Sequence, residues 1–156
     1  MTTTPLQLPK VELHCHLDGV IDPPMLRDIQ EQGILIPLSP DALQAALPAD
    51  SFEAFDEWYR ITRDLRHNDP LIFKPILKTH IERLKAQNVV YTELMLNIPS
   101  LGITSDLVLK YTRILREYAT SLEEGKIQIE FLMGLPRKVS PDVFRGMTDI
   151  TLRLYE

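Results

Sequence analysis

Short runs rich in apolar and β-branched residues alternate along the chain with stretches whose apolar positions return every three or four residues. KVELHCHL (residues 10–17), VVYTELML (89–96) and IQIEFLM (127–133) read as three strands. Helical patterns lie at about 24–32 and 41–47, the second started by Ser39 with Pro40 at the first helical position. A third covers about 51–66; Asp50 and Glu53 have capping-box spacing at its start, and Phe52, Phe55, Trp58, Tyr59 and Thr62 form its apolar face. Asp69 and Pro70 open a fourth, running to about residue 87, in which Pro75 is expected to bend the first turns. Thr104 or Ser105 caps a long amphipathic helix that Gly125 ends, and Ser140 with Pro141 starts the last.

Strand followed by helix, repeated, predicts parallel strands joined by crossovers, hence an α/β fold. A doubly wound sheet would advertise a glycine-rich turn after its first strand. Here that strand ends in polar side chains, as barrel strands do at a catalytic face, so the expected architecture is the N-terminal part, about three strand-helix units, of a (β/α)8 TIM-type barrel. A closed barrel takes eight strands and typically about 250 residues. Residues 1–156 are therefore expected to be the N-terminal portion of a single barrel domain whose C-terminal part is absent, with sheet edges that promote self-association.

Composition refines this picture. With 44% hydrophobic and 25% charged residues the chain can bury a core. Its net charge of −5 comes without a basic stripe, which disfavours nucleic acid and anionic membrane as partners and leaves a small molecule. The first ten residues lack an apolar leader and no later run is long enough to span a bilayer, so a cytoplasmic location is expected. A single cysteine, Cys15, cannot form an internal disulfide.

Chemistry concentrates in the first strand. Alternation predicts Glu12, His14, His16 and Asp18 on one face and Val11, Leu13, Cys15 and Leu17 on the other. Two strand rises put the histidine Cα atoms about 6.6 Å apart, which lets both imidazoles converge on one ion. Histidines at this spacing also occur as a solvated or hydrogen-bonded pair, so the spacing alone leaves both readings open.

The surrounding string adds to this. LPKVELHCHLDG, residues 8–19, closely resembles the first-strand signature of the adenosine deaminase family, Leu-Pro-Lys-x-Glu-Leu-His-x-His-Leu-Asp-Gly. SFEAFDEWY is similar to the aromatic helix that covers that family's substrate pocket, and NVVYTELML to its second barrel strand, with Met95 where the family usually has arginine. The resemblance implies that His14 and His16 are zinc ligands, one ion per complete active site, and that His16, Asp18 and Gly19 lie against the substrate, Asp18 on its ribose side. It implies hydrolytic deamination of adenosine to inosine and ammonia, zinc lowering the pKa of a bound water that attacks C6 of the purine. The H-x-E and P-C-x-x-C elements of cytidine deaminase-type enzymes are absent. No catalytic acid or base is assigned within the chain; the family's proton donor is expected beyond Glu156.

Met95 motivates an alternative substrate, adenine or a modified adenine nucleoside or nucleotide. A further alternative is a non-catalytic module that binds metal or a partner chain. The remaining candidates have ordinary expected roles: His80 as a surface or packing histidine, His67 at a helix end, Glu93 paired to a neighbouring strand group, Trp58 and Tyr59 in packing or as a pocket lid, and Arg137 in an exposed loop.

Overall fold

A computed structural model of the chain describes residues 7–63, 65, 70–97, 105–135 and 139–155. His67, Asp69, Thr104 and Arg137, singled out above, lie outside the described residues. The elements follow the order β1 (Lys10–His16), α1 (Pro23–Glu31), α2 (Pro40–Ala45), α3 (Phe52–Arg63), a 3₁₀ turn at Pro70–Ile72, α4 (Phe73–Ala86), β2 (Val89–Asn97), α5 (Ser105–Glu123), β3 (Gln128–Gly134) and α6 (Pro141–Arg153). The strands form one parallel sheet in the order β1-β2-β3.

Helix starts follow their capping chemistry. The Ser39 hydroxyl accepts from Ala42 N (3.3 Å) and that of Ser140 from Val143 N (3.4 Å), each with proline next in sequence. α1 is capped by Asp22, whose Oδ1 accepts from Met25 N at 2.7 Å. The cap of α3 differs from the expected Asp50 box: the Ser51 hydroxyl accepts from Ala54 N at 3.1 Å, one residue later. Pro75 does not lie in the helix interior. The 3₁₀ turn absorbs residues 70–72, α4 begins at Phe73, and Pro75 falls at its third position, where an amide hydrogen has no intrahelical acceptor. α5 ends as anticipated, with Gly125 at φ 67°.

The core lies under the helix-covered face of the sheet. Leu94 and Leu96 of β2 and Ile129 of β3 meet Ile76, Leu77 and Ile81 of α4 and Leu115 of α5, all buried, while Leu17, Ile21, Met25, Leu26 and Ile29 seal the region around α1. On β2, Tyr91, Glu93, Met95 and Asn97 take the opposite, open face.

The expected alternation on β1 fails in the middle. Glu12 pairs with Thr92 and Cys15 with Leu94, three residues against two, so β1 carries one extra residue, and His14 sits at φ 59°. This bulge changes which side chains share a face. Glu12 joins Cys15 on the helix side instead of standing with His14 and His16, and Val11 and Leu13, expected to share the face of Cys15 and Leu17, are 61% and 60% exposed.

Candidate active site

His14 and His16 are brought together at the C-terminal end of β1, their ring centroids 5.5 Å apart and their planes at 75°. The bulge makes this possible: with His14 in the left-handed region, both rings turn toward α3 and away from the core. Nδ1 of His16 is buried and has no hydrogen-bond partner. A buried imidazole nitrogen without a partner is costly unless something occupies it. Two imidazoles with one such nitrogen form a donor set that fits zinc.

Around the pair lies a cleft lined by His14, Cys15, His16, Gly19, Phe55, Trp58 and Tyr59. The last three come from α3, whose apolar face turns its aromatic residues toward β1. Phe55 and Tyr59 stack at 6.2 Å with rings 6° from parallel, and His16 meets Tyr59 edge-on at 6.5 Å. Trp58 and Tyr59 thus serve the cleft wall as well as packing.

Asp18 is only 4% exposed and its Oδ2 accepts from Asn97 Nδ2 at 3.2 Å and from the Tyr59 hydroxyl at 3.5 Å. These contacts tie β1 to the end of β2 and to α3. Asn97 is a site residue that alternation along β2 could have revealed, since it continues the open face of Glu93 and Met95. Gly19 closes a sharp turn beside the cleft: its amide donates to His16 O at 2.8 Å, and a Cβ there would lie 3.3 Å from that same oxygen.

The other candidates take ordinary places. Glu93 accepts from the Tyr91 hydroxyl at 3.2 Å. Met95 stands beside His16 in the ladder, on the open face. His80 is buried in α4 rather than on the surface, its Nε2 3.2 Å from Glu12 Oε2. Burial holds it below the ordinary histidine range, with Glu12 opposing, so it is neutral near pH 7. Burial, then the Glu12 carboxylate, pushes the Cys15 thiol up to about 12.

Comparison with known proteins places these residues in context. The sequence profile described as Adenosine deaminase matches residues 9–155. An adenine deaminase of Pseudomonas putida (strain GB-1) is 28% identical over 130 residues, 82% of this chain and 40% of that protein. The crystal structure of an adenine deaminase from Arthrobacter aurescens superposes with a TM-score of 0.70 at 18% identity, covering 94% of this chain and 46% of that one. An amidohydrolase from Burkholderia ambifaria with bound Zn gives a TM-score of 0.67 at 21% identity, covering all of this chain and 45% of the other. The chain thus spans less than half the length of the proteins it matches, and its fold is the α/β architecture of part of a (β/α)8 barrel. Among the described residues no helix is long and apolar enough to cross a membrane.

Proposed function

Because the chain belongs to the adenosine deaminase family, we propose that it is the N-terminal portion of a single barrel domain that hydrolytically deaminates a 6-aminopurine, with zinc held by His14 and His16. The observation that carries this reading is the histidine pair that the bulge turns into an aromatic cleft, with a buried His16 nitrogen left without a partner. Zinc, when bound, supplies Lewis acidity and lowers the pKa of water toward neutrality.

The remaining work falls to side chains. Phe55 and Tyr59 offer flat apolar surface for a purine ring and keep bulk water from its reacting edge. Asp18, held by Asn97 and Tyr59, presents a fixed acceptor to a donor on the substrate. Gly19 lets the backbone approach the substrate where a Cβ would press on His16 O. The further ligands and the proton donor belong to the rest of the barrel.

Adenosine, adenine and a modified adenine nucleoside or nucleotide are the candidate substrates, and Met95 favours adenine. It places a thioether beside His16, where the family's arginine would offer five donors to a ribose or phosphate, so affinity must come from the base. The relatives described as adenine deaminases agree with this choice.

The test is ammonia release by the complete polypeptide from adenine, adenosine, its methylated forms and its monophosphate, with zinc measured by elemental analysis. Adenine is expected to be preferred, and Met95→Arg to shift preference toward the nucleoside or nucleotide. His14→Ala and His16→Ala are each expected to remove the zinc and the activity. Undiminished zinc in both variants, or no ammonia from any of these purines, would refute the proposal.

A further inference from the structure

The bulge that turns His14 and His16 into the cleft also gathers a second group of ligands behind the strand. In a regular strand Glu12 and Cys15, three residues apart, point to opposite faces. With one residue extra between them they point the same way, toward α4. His80 reaches them from that helix, and the imidazole, thiol and carboxylate ligand atoms all lie within 4.8 Å of one another.

His80 is 8% exposed, and its Nε2, though 3.2 Å from Glu12 Oε2, is buried with no hydrogen bond of acceptable direction. The nitrogen is aimed into the cluster but not satisfied by it. The same Glu12 oxygen accepts from the buried Thr92 hydroxyl at 3.4 Å, which fixes the carboxylate toward His80.

We propose that Glu12, Cys15 and His80 form a second metal site on the helix side of β1, suited to a borderline-soft divalent cation, zinc above all. One sulfur, bound as thiolate with its proton released to solvent as the metal enters, one nitrogen and one oxygen donor match zinc and disfavour magnesium or calcium, which take oxygen alone. Bonds of about 2.0–2.3 Å around a tetrahedral ion put ligand atoms about 3.3–3.8 Å apart, so small side-chain rotations from the observed positions complete the shell, with water as fourth ligand. The ion occupies the orphaned His80 nitrogen and links β1 to α4 directly behind the bulge. It is separate from the ion proposed at His14 and His16, which lies across the strand.

Cobalt(II), titrated into the reduced, metal-free chain, is the probe, because thiolate ligation gives a charge-transfer absorption that histidine ligation alone lacks. The expected result is saturation of that band, its survival in the His14→Ala/His16→Ala double variant, its loss in Cys15→Ser, and affinity about tenfold or more weaker in His80→Gln and in Glu12→Gln. A folded wild-type chain without the band overturns the site. So does a band that disappears in the double variant, which would assign Cys15 to the cleft ion, or one of unchanged affinity in His80→Gln. Should a variant lose its helical circular dichroism, alkylation of Cys15 in the unaltered chain decides: zinc is expected to slow it about tenfold or more. An unchanged rate overturns the proposal.

Discussion

His14 holds φ 59°, a backbone region where a side chain costs roughly 1 kcal/mol relative to glycine. Its place there serves the bulge, and the bulge serves the ligand pair. His14→Gly should therefore uncouple folding from metal binding: in metal-free protein the unfolding midpoint rises or holds, with a gain of up to about 1 kcal/mol, while zinc at the cleft is lost. Urea denaturation beside elemental analysis reads both, and a clear loss of stability would show that the histidine is not held at a cost. The pair itself was legible from spacing and from the string around it, because both are local. The bulge was not, since residues 12–15 contain no glycine and strict alternation puts Glu12 with the histidines. Only pairing against Thr92 and Leu94 exposes the extra residue.

At the level of elements, the helix caps show where sequence signals suffice. Ser39-Pro40 and Ser140-Pro141 act where their spacing put them, because capping is settled within four residues. α4 departs from its pattern for a non-local reason: a 3₁₀ turn takes the first three positions, which moves Pro75 from the expected interior to the first turn. Pro75→Ala should then change stability by less than about 0.5 kcal/mol, against about 3 kcal/mol for relief of an interior proline. Asp22 presents the opposite case. Its Oδ1 caps α1 while its Oδ2 takes Arg83 of α4 at 2.8 Å, so one carboxylate fastens two helices. Asp22→Ala should cost about 1–2 kcal/mol, mostly through the cap, since the half-exposed ion pair is screened. Thermal unfolding of both variants checks this; a Pro75 effect larger than the Asp22 effect would mean that α4 starts elsewhere.

For the whole molecule the decisive feature is that, among the described residues, α4 and α5 pack on one face of the sheet and the other is left partly open. Helices α4 and α5 bury Leu94, Leu96 and Ile129, whereas Val11 and Leu13 stand exposed on the open face of β1. Parallel strands are ordinarily covered on both sides, and an exposed strand edge offers unpaired backbone groups to another chain. A second copy of the chain can use both features, so the 156-residue chain is expected to sediment as concentration-dependent oligomers. Replacing both exposed positions, Val11→Lys with Leu13→Lys, should return it to monomer without unfolding it, because neither side chain contributes to the core. The same preparation should release no measurable ammonia from adenosine or adenine, since it holds two imidazoles of a zinc site and no assigned proton donor. Association and catalysis are thus read on one sample by sedimentation velocity and an ammonia assay. A monomer whose behaviour the lysine pair leaves unaltered would remove the open face as the cause of association. Deamination at an ordinary enzymatic rate would show that residues within this chain complete the site, with Glu93 on the open face of β2 the first to be tested as proton donor.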